Sequence, residues 1–268
     1  MTSSSRVSRA FRRRFGKRRA QIYCVGPAKS GTHSIASIFE PFLRTAHEPE
    51  VHQVIRLVLD RSRGIVTEEE LREVIRERDS RLRLEVDSSQ LNYFILDALL
   101  QEFRDSRFIL TLRDCYSWLD SLLNDHLNRT PHDPIWMEYR DLRHDPTRKH
   151  VLPEEAPLKE RGLYTLDGYF SYWAKHYSEV LAKVPSDRLL VIRTTDITQK
   201  VAELLAFAGV SMAVARAGSS HECKAPRRHN VLSQIEPHFL EEKVRQHCGP
   251  LMRQHFPEIV SSQSMVKG

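Results

Sequence analysis

Short apolar runs alternate with helical patterns along most of the chain. Residues 22–25 form a β-prone apolar run, which Gly26 ends. Behind it, apolar side chains recur at helical spacing, at Ile35, Ile38, Phe39 and Phe42. The pattern therefore predicts a strand, a glycine turn and a helix within this segment.

The same alternation continues downstream. Residues 107–112 have the pattern of a buried strand, and residues 116–123 continue as a helix. A longer helix is predicted from Tyr169 to about Lys183, followed by a strand over 188–193 and a further helix to Ala208. Strands separated by helices predict an α/β fold with a mostly parallel central sheet flanked by helices.

The chain has 268 residues, of which 40% are hydrophobic, and this is enough for a substantial core. No Pro/Gly/Ser-rich linker divides it. We therefore predict a single domain over residues 21–257, with a flexible basic arm over residues 1–20 and a tail over residues 258–268. No stretch of about 18 apolar residues is present, which argues against a membrane span.

Positive charge is concentrated in the first nineteen residues, which hold eight Lys or Arg and no acid. Without these eight charges, the formal net charge of +6 becomes about −2. Because the remaining chain is not basic and no nucleic-acid motif stands out, we expect no nucleic acid as a partner. We interpret the arm as solvated, although Arg12–Arg19 could touch an anionic surface.

Cysteine spacing indicates no metal centre. Cys24, Cys115, Cys223 and Cys248 are scattered without a Cys-x-x-Cys pair, so we expect free thiols and neither zinc nor a disulfide framework. The basic segment at the N-terminus lacks the apolar core of a signal peptide, and we predict a cytoplasmic protein.

Residues 26–35 read Gly-Pro-Ala-Lys-Ser-Gly-Thr-His-Ser-Ile, between the first predicted strand and helix. This context is typical of a phosphate-binding loop. We expect the backbone N–H groups of Ser30–His33 to be unpaired donors of the first helical turn. The helix dipole would add partial positive charge where an anion would bind.

A nucleoside-triphosphate loop needs Gly-x-x-x-x-Gly-Lys-Ser/Thr, and Gly26 and Gly31 have that spacing. However, Thr32 and His33 occupy the positions of the lysine and of the Mg²⁺-binding hydroxyl, and the only lysine is Lys29, inside the loop. A kinase with a variant loop is therefore disfavoured and stays an alternative.

A lysine two residues before a glycine, followed by Gly-Thr, resembles the 5′-phosphosulfate loop of the sulfotransferases. The usual form of that loop is Pro-Lys-Ser-Gly-Thr-Thr. Here an alanine separates Pro27 from Lys29, and His33 replaces the second threonine.

A second element is similar to the same family, in which a strand-end arginine and a serine eight residues later clamp a 3′-phosphate. Arg113 and Ser121 have that separation. A guanidinium gives phosphate a forked, charge-assisted grip, and a serine hydroxyl two helical turns away can add a donor. In element order the resemblance covers about residues 21–209.

The resemblance implies a fold like that of the P-loop nucleoside triphosphatases, with 3′-phosphoadenosine 5′-phosphosulfate (PAPS) as the co-substrate and no metal. It implies that Lys29 stabilises the leaving phosphate oxygen during in-line transfer of the sulfuryl group to an acceptor hydroxyl. The predicted donor-binding residues are Lys29, Ser30, Gly31, Thr32, His33, Arg113 and Ser121, with Arg227 and Arg228 of a basic loop before the last helix.

An acceptor hydroxyl needs a base, and three residues are candidates. Glu48 is the first, since glycan-type sulfotransferases resemble this chain in carrying a Glu before Pro after the first helix. His47 is the second, because its ordinary pKa suits a general base. Asp87 is the third, and it could equally cap a helix beginning near Gln90.

The sequence does not identify the acceptor. Residues 129–165 are rich in Pro, His and charge, and we interpret them as an irregular insertion that binds the acceptor. The expected partner is a small-molecule or glycan acceptor, with carbohydrate-like or aliphatic alcohols favoured. A non-catalytic nucleotide-binding scaffold is the remaining alternative.

Overall fold

The computed structural model describes residues 18–129, 133–211, 227–259 and 261. Its strands are β1 (Ile22–Cys24), β2 (Thr45–His47), β3 (Val86–Ser88), β4 (Arg107–Leu112) and β5 (Leu189–Arg193). They form one sheet in the order β2-β3-β1-β4-β5, and β1 pairs in parallel with both β3 and β4. The predicted α/β fold with a parallel sheet is confirmed.

Helices separate the strands, as the periodicity predicts. Those before β4 are α1 (Thr32–Phe39), α2 (Val51–Ser62), α3 (Glu68–Leu82) and α4 (Leu96–Glu102). Between β4 and β5 lie α5 (Cys115–Asn128), α6 (Pro134–His144), α7 (Ala156–Lys159) and α8 (Leu166–Lys183). After β5 come α9 (Val201–Phe207), α10 (Pro237–His247) and α11 (Gly249–His255).

The central strand β1 is buried along its whole length, and five of the six residues of β4 are buried. Continuous apolar runs of this kind suit parallel strands that are covered on both faces. The core around β1 includes Cys24, Ile35, Phe39, Val86 and Ile109. The apolar runs that alternate with helices along the chain thus form a sheet whose central strands are buried.

The order of the strands reverses between β1 and β4. From β1 the chain crosses to the edge strand β2 and returns to β3, which lies between β2 and β1, and β4 then pairs with β1 on the other side. Ligands of open parallel sheets bind beyond the carboxyl ends of the strands at such a reversal. The segments that follow β1 and β4 therefore start at the edge where a ligand site is expected.

The chain forms two compact units, each assembled from separate stretches. The first comprises the described residues of Met1–Gly26, Gly31–Thr111 and Val184–Glu222, and the second those of Pro27–Ser30, Leu112–Lys183 and Cys223–Gly268. The division follows no linker, and the boundaries predicted for a single domain stay a prediction.

The predicted flexible arm is wrong at its carboxyl end. Arg18 donates to both carboxylate oxygens of Asp79, at 2.8 and 2.7 Å, and to the carbonyl of Leu84 at 2.6 Å. The backbone N–H of Arg19 donates to Glu85 at 2.9 Å. Glu85 is 1% exposed, and a buried carboxylate needs such partners. The rest of the predicted arm, residues 1–17, lies outside the described residues.

The expectation that residues 129–165 are irregular is also wrong. Asp133 caps α6 by accepting from the backbone N–H of Ile135 at 3.0 Å, and Pro134 occupies the first turn. Ile135 and Tyr139, one helical turn apart, are both buried. Charge and proline content hid this helix, because its apolar face is only two to three side chains wide.

Gly168 permits the close approach of α8 to the end of α6. A Cβ atom at this position would lie 2.2 Å from the carbonyl oxygen of His144. We expect Gly168→Ala to lower the free energy of unfolding by about 2 kcal/mol or more, because backbone must move to make room. Denaturant unfolding measures the change.

Gly249→Ala is the matched control, because its Cβ would meet only the flexible end of Arg253, at 3.2 Å. That variant should be close to wild type in stability. Equal stability of the two variants would contradict the packing described for Gly168.

Candidate active site

The loop after β1 turns sharply at two residues. Lys29 and Gly31 have positive φ angles of 66° and 109°. Gly31 precedes α1, which receives no hydrogen bond from a capping side chain. A Cβ at Gly31 would also lie 2.6 Å from Cδ1 of Ile197, so the turn and the packing both favour glycine.

One part of the predicted anion cradle needs correction. The backbone N–H of Ser30 donates to the carbonyl of Pro27 at 3.2 Å, and the Ser30 hydroxyl donates to the same oxygen at 2.7 Å. The Ser30 amide therefore closes the turn and is not an unpaired donor. Within the described chain, the amides of Gly31 and Thr32 have no protein acceptor, as expected for an uncapped helix start.

The Lys29 ammonium lies 3.2 Å from Oδ1 of Asp125 on α5, and both side chains are about four-fifths buried. Sequence reasoning did not find Asp125. The available signal was its helical spacing, since it lies one turn beyond Ser121. Asp125 holds the Lys29 ammonium in a defined position beside α5.

Arg113 follows β4 directly and binds the loop. Its Nη1 donates to the carbonyl of Lys29 at 2.8 Å, and its Nε donates to the Ser117 hydroxyl at 3.0 Å. Burial lowers the pKa of Arg113 from its usual value. An arginine remains charged even so. Its Nη2 and the Ser121 hydroxyl have no protein partner among the described residues, so both can donate to a ligand.

Trp118 is a core residue, as its helical spacing predicts, but it also fixes the loop. Its ring is fully buried, and its Nε1 donates to the carbonyl of Ala28 at 2.9 Å. The carbonyl groups of Ala28 and Lys29 are thus both held by side chains from the segment that follows β4. This arrangement orients the loop that carries Lys29.

The basic loop reaches the same helix. Arg227 and Arg228 are exposed, and the carbonyl of Arg227 accepts from Asn128 of α5 at 2.8 Å. The backbone N–H of His229 donates to Asn124 at 2.6 Å. The segment that carries Arg227 and Arg228 is therefore held against the carboxyl-terminal end of α5, beyond Ser121. The neighbouring Lys224–Pro226 lie outside the described residues.

Glu48 belongs to the first unit and has a left-handed backbone, with a φ of 49°. Its backbone N–H donates to the carbonyl of Ser88 at 3.0 Å. Its Oε1 accepts from the amide of Gln90 at 2.7 Å. Gln90, which sequence reasoning did not single out, fixes the direction of the Glu48 carboxylate.

His47 lies beside the start of α1. Its Nε2 is 3.2 Å from the Thr32 hydroxyl, and its ring centre is 5.1 Å from that of His33. Partial burial and the nearby His33 lower the pKa of His47, although Glu48 acts in the opposite direction. A neutral imidazole of this kind can accept a proton.

Asp87 is buried in β3 and paired. Its Oδ2 accepts from Arg78 at 2.7 Å, and its Oδ1 from Asn92 at 3.3 Å. The suggestion that it caps the helix near Gln90 is wrong, because Ser89 caps that turn by accepting from the N–H of Leu91 at 3.1 Å. Ser89 lies two residues closer to that turn than Asp87 and directly precedes it.

Among the described residues, no three His, Cys, Asp or Glu side chains come together as a metal ion would require. Cys24, Cys115 and Cys248 are buried free thiols, and Cys223 lies outside the described residues.

In the part of the chain that is described, no helix combines the length and apolar character that a membrane span needs.

The sheet order, the glycine turn after β1 and the uncapped start of α1 define a parallel α/β protein with a turn from its central strand into a helix. Residues 21–214 match the family described as the sulfotransferase domain. The chain belongs to the sulfotransferase family.

Similarity to individual proteins is low. A crystal structure of a sulfotransferase from Alicyclobacillus acidocaldarius is 16% identical, covers 86% of this chain and 92% of its own, and has a TM-score of 0.46. No curated protein shows significant sequence similarity to this chain. The family assignment therefore depends on the domain match over residues 21–214.

Trp118→Phe keeps an aromatic ring but removes the N–H that holds Ala28. We expect a loss of about 1 kcal/mol in unfolding free energy from the lost hydrogen bond, and a further loss from the cavity that the smaller ring leaves at this fully buried position. Amide hydrogen exchange over residues 27–30 should also become faster, and exchange mass spectrometry measures it.

Tyr116→Phe is the control, because its hydroxyl lies on the same helix and bonds Glu241 instead of the loop. Unchanged loop exchange in Trp118→Phe would show that the indole does not orient the loop.

Proposed function

We propose that this protein transfers a sulfuryl group from PAPS to an acceptor hydroxyl. Family membership supports sulfotransferase activity in general. The observation that carries the finer proposal is the hydrogen bond from Arg113 Nη1 to the carbonyl of Lys29, at 2.8 Å. This contact supports the proposal, because it would let Lys29 and Arg113 bind the two ends of one doubly phosphorylated nucleotide.

The groups present suit such a nucleotide. Arg113 Nη2 and the Ser121 hydroxyl would bind the 3′-phosphate, with Arg227 and Arg228 as further cations nearby. Lys29 and the amides of Gly31 and Thr32 would bind the 5′-phosphosulfate. All of these groups donate hydrogen bonds, so they match an anion and not a cation.

Lys29 is the candidate for stabilising the leaving group. Its ammonium is mostly buried, where a charge acts more strongly on a developing negative charge than it would in water. In the described structure Asp125 neutralises it at 3.2 Å. The phosphate oxygen would replace Asp125 as the partner of Lys29 when charge develops on it during transfer.

Glu48 is the favoured base. Gln90 holds one of its carboxylate oxygens, which leaves the other to accept the proton of the acceptor hydroxyl. His47 is the alternative, because burial lowers its pKa and so favours the neutral imidazole that can accept a proton. The ion pair with Arg78 makes Asp87 the weakest of the three.

A kinase would require a lysine and a Mg²⁺-binding hydroxyl at the positions of Thr32 and His33. The Thr32 hydroxyl instead lies 3.2 Å from Nε2 of His47. The geometry therefore favours sulfuryl transfer over phosphoryl transfer. The small-molecule or glycan acceptor, the cytoplasmic location and the role of the arm stay predictions.

Calorimetry with 3′-phosphoadenosine 5′-phosphate (PAP), the desulfated product of PAPS, tests the donor site. We expect PAP to bind more tightly than ATP. Arg113→Ala and Lys29→Ala should each raise the Kd for PAP about tenfold or more, as expected for the loss of a charged hydrogen bond. Arg245→Ala, which removes an exposed charge from α10, is the control and should leave the Kd unchanged. Tighter binding of ATP would contradict the proposal.

Glu48→Gln tests the base. This change keeps the hydrogen-bonding shape but removes the proton acceptor, so kcat should fall about 100-fold or more while the Kd for PAP stays within about twofold. Transfer of labelled sulfate measures kcat. If Glu48→Gln is fully active and His47→Asn is not, the base is His47.

A further inference from the structure

Two buried histidines of the second unit lie among tyrosines, and together they form what we call the His–Tyr cluster: His126, His144, Tyr164, Tyr169 and Tyr172. Nδ1 of His126 is 3.2 Å from the Tyr169 hydroxyl. The ring centre of His144 lies 4.6 Å from that of Tyr169 and 5.2 Å from that of Tyr164. The cluster joins α5, α6 and α8.

Three of the four ring nitrogens of these two histidines are buried without a close hydrogen-bond partner in the described chain. His144 is 0% exposed and His126 is 5% exposed. Both ring nitrogens of His144 and Nε2 of His126 are buried without a hydrogen-bond partner among the described residues. Leaving a buried polar group unpaired is costly, and a neutral imidazole always carries one N–H donor. Three unpaired nitrogens in one place therefore indicate a missing polar partner.

The surroundings of the two histidines are positively charged. Burial holds the pKa of both histidines well below the usual value, and nearby Arg140 and Arg143 act in the same direction. The Gly168 backbone raises the pKa of His144 only weakly, and no acceptor meets its ring in hydrogen-bonding geometry.

Arg140 forms no close ion pair with a carboxylate among the described residues, and Asp125 attracts it only at longer range. Its Nη2 donates to the carbonyl of Arg129 at 3.0 Å, and burial together with Arg143 lowers its pKa. The two nearby acids are already engaged: Asp141 accepts from the Tyr164 hydroxyl at 2.7 Å, and Asp125 accepts from Lys29. The missing partner should therefore be an anion.

The cluster lies next to the candidate reaction centre. His126 directly follows Asp125, the partner of Lys29, and the Lys29 charge also lowers the pKa of His126. Arg140 and Tyr164 are only partly buried, whereas the two histidines are buried.

We propose that the His–Tyr cluster and Arg140 bind an acidic group of the acceptor, so that the acceptor is an anionic compound bearing a hydroxyl group. This inference rests on the proposed function, because it assigns the ligand as the acceptor. A carboxylate and a sulfate share the required chemistry, since both accept from guanidinium and imidazole N–H donors.

Calorimetry on PAP-saturated protein tests the proposal with three sugars as probes: glucuronate, glucose 6-sulfate and the neutral glucuronamide. At least one anionic sugar should bind ten times more tightly than glucuronamide, and the stronger of the two identifies the acidic group. In Arg140→Gln that preference should fall to within twofold. Arg148→Gln, which removes an exposed charge from the same segment, should keep it.

His144→Phe should also lose the preference, and if it fails to fold, Arg140→Gln decides alone. Equal binding of all three sugars to wild type, no binding of any of them, or a preference that persists in Arg140→Gln would overturn the proposal. Binding of PAP is measured separately, so a protein that does not bind PAP would contradict the proposed function and not the anion site. The titrations on free protein would then still test the anion preference.

Discussion

The site depends on the contact between the Arg113 guanidinium and the carbonyl of Lys29. Arg113 is placed by β4, and Lys29 lies on the loop that β1 starts. Because β1 and β4 are neighbours at the reversal of strand order, one arginine can orient the loop and still offer Nη2 to a ligand. Trp118 adds a second hold on the loop through the carbonyl of Ala28. A lysine with a positive φ angle can remain in place because its neighbours determine the backbone around it.

Local sequence patterns were enough to predict the strands and the helix that create this contact. The apolar run before Gly26, the strand ending before Arg113 and the helix carrying Ser121 are all features of short windows of sequence, and the structure confirms each element. Lys29 and Arg113 could be paired in advance only because each resembles part of one family. Periodicity alone could not have placed them together.

The residues that sequence reasoning missed act across long chain separations. Asp125 meets Lys29 and Gln90 meets Glu48 only after folding. Arg18 and Arg19 look like part of a solvated basic arm until the partly buried Asp79 and the buried Glu85 are seen beside them. The helix over Pro134–His144 was hidden by its charged outer face, and the same helix brings Arg140 and His144 to the His–Tyr cluster. The region assigned to the acceptor thus depends most on tertiary structure.

A crystal structure of the protein with PAP tests the central claim most directly. The account predicts that the 3′-phosphate lies within hydrogen-bonding distance of Arg113 Nη2 and the Ser121 hydroxyl. It also predicts that the 5′-phosphate lies against the Lys29 ammonium, with Asp125 displaced from it. A nucleotide bound elsewhere, or with neither phosphate at Lys29 and Arg113, would contradict the account.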